Sequence, residues 1–103
     1  MTFTVRFERR AARQLLDIQT YIATQALFSV AFGYTAGIVR FAETLGAFPH
    51  RGRNRDDVFV GLRVVGYKKR VTITYLVDDD ARTVAVTGVF YGGQDWENSY
   101  AEG

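Results

Sequence analysis

The hydrophobic period of this chain changes twice, and those changes restrict its fold more than any single motif does. From Thr2 to Phe7, Phe3, Val5 and Phe7 alternate with Thr2, Thr4 and Arg6, the repeat of a strand with one buried face. From Arg9 to Gln25 the apolar residues Ala11, Leu15, Ile18 and Ile22 recur at i, i+4, i+7 and i+11, which is one stripe of a helix. Glu8 and Arg9 offer no short acceptor side chain to cap it. A second helix is expected from about Phe28 to Ala47, with the stripe Tyr34, Ile38, Phe41 and Leu45 and with Pro49 as its stop. After a polar connection, period two returns in Gly61–Tyr67, Arg70–Val77 and Thr83–Tyr91, with Asp78-Asp79-Asp80 as a turn between the last two. Such short connections require antiparallel neighbours, because a parallel crossover needs a dozen or more residues. The expected fold is α+β, in the order β-α-α-β-β-β, with a helical hairpin on one face of a mostly antiparallel sheet and the other face partly open. Residues 1–103 read as one domain, with a short tail from about 92.

The second helix is apolar on more than one face. Phe28, Val30, Phe32 and Val39 lie wholly or partly off its stripe, so a second surface must cover them. Gly33 and Gly37 each weaken a helix by about 1 kcal/mol relative to Ala and permit close approach of another backbone. Two readings follow: a protein-binding surface, or tight packing against the first helix.

With 48% hydrophobic residues the chain can bury a core without disulfides, and it has no cysteine to form them. No apolar run reaches the roughly 20 residues of a membrane span, and the strand-like N-terminus lacks a signal-peptide pattern. A cytoplasmic protein with no membrane association is the expectation. The net charge is only +2, yet its distribution is uneven. Arg51, Arg53, Arg55, Arg63, Lys68, Lys69 and Arg70 face only Asp56 and Asp57, a local net of +5, while Asp95, Glu97 and Glu102 make the tail acidic. The basic block suits phosphate or an acidic protein surface, or it is a solvated edge.

Several chemistries are poorly served. One histidine and no cysteine leave no zinc cluster, and no cofactor is expected. Asp78, Asp79 and Asp80 sit in a hairpin turn that aims them at water. Gly92-Gly93 follows the last strand, so it lacks the strand–loop–helix setting of a nucleotide site. Ser29 and Ser99 have no evident route to His50 for a catalytic triad.

The element order and its residues resemble the ParE/RelE toxin superfamily of type II toxin–antitoxin systems, and its ParE branch more closely. Leu15, Ile18, Tyr21 and Ile22 are similar to the family's L-x-x-I-x-x-Y-I helix, although Gln14 stands where an acidic residue is frequent. Leu45-Gly46-Ala47-Phe48-Pro49 before Arg51-Gly52-Arg53, then Gly61-Leu62-Arg63, Thr74-Tyr75-Leu76-Val77-Asp78 and Gly88 to Trp96, resemble its later punctuation. The resemblance implies a toxin neutralised by a ParD-like antitoxin in a hetero-oligomer. It also implies DNA gyrase as the target, or, for RelE-like members, ribosome-dependent cleavage of mRNA. A complex-forming member without toxicity is the third reading, since Gly92-Gly93-Gln94 lacks the cations that relatives often carry there.

Each reading assigns residues. Binding a target calls on Arg51, Arg53, Arg63, Arg70, Tyr91 and Trp96, with Tyr100 as a further aromatic anchor in an exposed tail. That reading needs no catalytic residue. Ribonuclease action would call on Arg63, Lys68 and Tyr91, because RNA cleavage needs cations at the phosphate and a proton carrier. Tyr91 is equally read as a strand-end aromatic of the core, Trp96 as a core residue, and Arg63 as a partner of Asp56 or Asp57. The antitoxin is assigned Phe28, Phe32, Val39 and Tyr34, as a groove for an amphipathic helix, with strand addition at a sheet edge as a second mode.

Overall fold

The computed structural model describes residues 2–100, so Glu102 of the acidic tail lies outside the described residues. The elements are β1 (Thr4–Phe7), α1 (Arg9–Gln25), α2 (Phe28–Glu43), a 3-10 turn (Thr44–Gly46), β2 (Arg53–Asn54), β3 (Arg63–Tyr67), β4 (Val71–Asp78), β5 (Thr83–Tyr91) and a second 3-10 turn (Glu97–Tyr100). One sheet carries the strands in the order β1-β5-β4-β3-β2. Only the β1–β5 pair is parallel, and the rest are antiparallel.

The helical stripes bury as the spacing requires: Ala11 and Ile18 of α1, with Ile38, Ala42 and Leu45 from α2 and its turn, meet Val71, Ile73, Tyr75, Val84, Val86 and Val89 of the sheet. Glu8 gives α1 no side-chain cap; its N–H donates instead to the Val86 carbonyl at 2.9 Å, tying the helix start to β5. The second helix ends earlier than Ala47, tightening to 3-10 at Thr44. The Thr44 hydroxyl donates to the Phe41 carbonyl, and the Phe3 N–H donates to the Gly46 carbonyl at 2.8 Å. A Cβ on Gly46 would lie 2.5 Å from the Phe3 carbonyl oxygen, so this close approach requires glycine.

Three expectations change. The arginine-rich connection contains β2, whose Arg53 and Asn54 pair with Val64 and Arg63. Both side chains are exposed, so no hydrophobic alternation announces the strand. β3 begins at Arg63 rather than Gly61, since Gly61 adopts φ +85° to turn into it.

The largest correction concerns the second sheet face, which is not open. Val64 opposes Thr74, Phe90 opposes Thr72 and Ala85 opposes Leu76 on that face, and Val64, Thr74, Ala85 and Phe90 are buried. The tail folds across it. The Tyr100 hydroxyl lies 2.7 Å from the hydroxyls of both Thr74 and Thr87, and its ring meets Phe59 with centroids 5.8 Å apart. A bulge at the Thr74/Tyr75 level lets Thr87 join this second core while Val89 and Tyr91 return to the helical side.

Candidate functional site

The helical hairpin carries an apolar groove lined by Ala12, Leu15, Leu16 and Gln19 of α1 and by Phe32, Thr35, Ala36 and Val39 of α2. The Gln19 carbonyl accepts from the Thr35 hydroxyl at 3.0 Å and joins the helices across its floor. Phe32 is 58% exposed and Phe28, 6.2 Å away by ring centroids, is 64% exposed. Phe28, Phe32 and Val39 therefore belong to this outer surface. Tyr34 does not: it meets the Tyr91 ring edge-on at 5.9 Å and packs against the core on the sheet side. Among the described residues its buried hydroxyl has no hydrogen-bond partner. Burial pushes its pKa up, aided by Tyr91 and Tyr67 and opposed by Arg70. The two glycines also separate. A Cβ on Gly37 would lie 2.8 Å from the chain's own Tyr67 hydroxyl, whereas Gly33 has open space.

The six residues assigned to a target fall into three places. Arg51, Arg53 and Arg63 lie near the junction of β2 and β3, with Arg53 opposite Val64 on the second face and Arg63 opposite Tyr75 on the helical side. Arg63 donates to the carbonyls of His50 at 3.0 Å and Gly52 at 2.5 Å, and not to Asp56 or Asp57. Arg51 lies over the Phe41 ring at 5.0 Å and donates to the Thr44 hydroxyl. Beneath them the buried Tyr75 hydroxyl accepts from the Gly52 N–H at 2.9 Å; burial raises its pKa against the effect of that bond.

Arg70 and Tyr91 sit at the other end of the β3–β4 hairpin, lining a cleft of about 400 Å³ with Gln14, Asp17, Tyr21 and Gln94. Tyr91 is half-buried between Tyr21 and Tyr34. Arg63 pairs with Tyr75 whereas Val71 pairs with both Tyr67 and Tyr91. Four residue levels at ~3.3 Å each put Arg63 about 13 Å along the sheet from Tyr91. Arg63, Lys68 and Tyr91 therefore do not share one point.

Trp96 forms the third place. The Arg55 guanidinium lies over its ring at 5.1 Å, grips Asp57 through two bonds of 2.9 and 2.8 Å, and reaches Glu97 at 2.6 Å. The Arg55 guanidinium beside it holds the Asp57 carboxyl below its ordinary value. Arg55 thus clasps the tail to the body, a role that membership in a basic block could not reveal. Nor did the sequence single out Arg10, which donates to the Thr87 carbonyl and lies over the Tyr100 ring at 4.9 Å. Gln14, the departure from the family pattern, accepts from the Val89 N–H at 2.7 Å. An amide oxygen serves there as well as a carboxylate would.

His50 is an exposed loop residue that meets Asp79 at 2.9 Å. Asp78 accepts from the N–H groups of Asp80 and Ala81 as a turn former. No group of three metal-capable side chains occurs among the described residues, and no helix among them is long and apolar enough to cross a membrane.

A helical hairpin laid on a five-stranded, mostly antiparallel sheet is the architecture of RelE/ParE-type toxins. The toxin of a chromosomal ParDE system from P. aeruginosa superposes with a TM-score of 0.76 at 15% identity, covering 88% of this chain and 97% of that one. An E. coli RelE toxin mutant in the free state gives 0.59 at 15%, covering 99% and 96%. A chain of the RelBE2 toxin–antitoxin complex from Mycobacterium tuberculosis gives 0.66 at 25% identity, covering 88% and 99%. Residues 5–96 match the ParE toxin family of type II toxin–antitoxin (parDE) systems, and the chain belongs to that family. A comparison with curated protein sequences finds no match.

Proposed function

We propose that this toxin works by occupying its target, DNA gyrase, in the cytoplasm, and that a ParD-like antitoxin masks it in a hetero-oligomer. The observation that carries the reading is the separation of two groups that RNA cleavage would draw on, Arg63 and Tyr91. Arg63 is held by two backbone carbonyls about 13 Å along the sheet from Tyr91, so one phosphate does not meet both. Membership of the ParE family supports the same branch. The antitoxin is assigned the groove between α1 and α2, where Phe28, Phe32 and Val39 present an apolar surface of the shape an amphipathic helix fills. Tyr34 is withdrawn from that assignment, because its ring belongs to the core.

The test is expression without the antitoxin, paired with a supercoiling assay using purified gyrase. The expected result is loss of supercoiling and trapped gyrase–DNA complexes, with messages intact. Messages cut at ribosomal A-sites, with gyrase unaffected, overturn the proposal in favour of the RelE-type activity. Unimpaired growth and unaffected gyrase leave a complex-forming member.

A further inference from the structure

The turn between β3 and β4 is built against its own stereochemistry. Lys68 and Lys69 have φ of 51° and 62°, and the Arg70 N–H donates back to the Tyr67 carbonyl at 3.3 Å. Two positive φ values at the central residues are the pattern of a type I′ turn, which favours Asn-Gly. L side chains are strained there. The sequence accepts that strain and places three consecutive cations at the tip.

Among the described residues these cations, like the exposed Arg53, form no ion pair, and Lys68 lies over the Tyr67 ring at 5.6 Å. Within the basic block, Arg55 is held by carboxylates, Arg63 by carbonyls and Arg51 by a ring and a hydroxyl. Lys68, Lys69 and Arg70 are exposed, and among the described residues no carboxylate lies within ion-pair distance of them. Behind the tip, the cleft shared by Arg70 and Tyr91 adds neutral donors. Gln14 and Gln94 spend their carbonyl oxygens on the N–H groups of Val89 and Tyr91, both at 2.7 Å. Their amide N–H groups remain as donors beside Arg70, against the single carboxylate of Asp17. Clustered cations backed by amide donors suit phosphate oxygens.

We propose that the Lys68-Lys69-Arg70 tip is a phosphate-contacting finger that grips duplex DNA. The choice of DNA rests on the gyrase reading, since gyrase would present the toxin with a DNA-bound target. The finger's chemistry is measurable without gyrase.

The test is binding of a short labelled duplex to the purified protein at several salt concentrations, for the wild type and for Lys68→Asn/Lys69→Gly. That double change supplies the preferred turn residues while deleting two cations. The wild type should bind with log K falling linearly against log salt, by about 0.9 per phosphate contact. The variant should bind roughly tenfold more weakly or worse near 0.1 M salt, with a slope shallower by about 2. Its Tm should nevertheless rise, by roughly 4–8 °C, which separates lost contacts from lost folding. Duplex affinity and slope unchanged in the variant overturn the finger, as does wild-type preference for polyglutamate or single-stranded RNA over the duplex. Tip-dependent duplex binding by a protein that leaves gyrase fully active supports the finger and removes the gyrase reading.

Discussion

Replacing Tyr100 by Phe deletes one oxygen and leaves the aromatic packing in place, so it isolates the bond that closes the second face. Thr74, Thr87 and Tyr100 form a triangle of hydroxyls with sides of 2.9, 2.7 and 2.7 Å. Three hydroxyls so placed each donate once and accept once, and both threonines are buried. Removing the phenol deletes two hydrogen bonds and strands one buried donor, a net loss of about 2 kcal/mol. Because the residue ends a terminal turn, the loss cannot exceed the free energy that docks this segment. Beyond that limit the tail lifts and water reaches the threonines. The Phe59 and Arg10 contacts to the ring persist in the variant. Thermal unfolding followed by circular dichroism should fall by roughly 10 °C if the loss is global. If it is local, the emission of Trp96, the chain's single tryptophan, should shift to the red while the midpoint holds. Adding Thr74→Val and Thr87→Val to Tyr100→Phe should recover most of the stability, since a wholly apolar cluster leaves nothing unsatisfied. A Tyr100→Phe protein with unchanged midpoint and unchanged Trp96 emission refutes the closed triangle.

Other perturbations have equally definite outcomes. Gly33→Ala should stabilise the fold by about 1 kcal/mol in urea titration, because its Cβ meets nothing; Gly46→Ala should destabilise by more than about 2 kcal/mol, because backbone lies at 2.5 Å. Phe32→Ala should weaken antitoxin binding by about 2 kcal/mol in calorimetry while the Tm stays near wild type; unchanged affinity moves the docking groove elsewhere. Tyr34 and Tyr75 both have pKa values raised above 10 by burial. The unfolded chain therefore ionises first: the stability these groups contribute is fully present below pH 10 and is lost as the pH rises through their folded values. Tyr34→Phe should make that alkaline loss shallower. It should also match or exceed wild-type stability at pH 7, since the hydroxyl it removes is buried without a partner among the described residues.

What the sequence disclosed was whatever repeats. The stripe of α1 and the alternation of β4 and β5 each recur often enough that burial has one consistent answer, and the structure places those residues in the core. β2 escaped because Arg53 and Asn54 join the sheet by backbone alone. Closure of the second face escaped because it depends on a tyrosine meeting threonines far away in the chain. The candidate site was legible as a set of residue types but not as a place. Arg51, Arg63 and Arg70 look alike in a string of letters, and only geometry distinguishes an arginine capped by carbonyls from one facing solvent. Tyr34 shows the reverse error: an aromatic on an over-apolar helix reads as docking surface until its ring is found against Tyr91.

The pairing of β1 with β5 has a consequence for synthesis. Thr4 and Thr83 are neighbours in the sheet although they stand 79 positions apart in the chain. The first strand therefore waits for β5 before its edge is covered, and β5 must leave the ribosome before the sheet can close. Such long-range pairing slows folding. A chain that stops short of β5 lacks the strand that pairs with β1 and packs against α1, so it cannot complete this sheet.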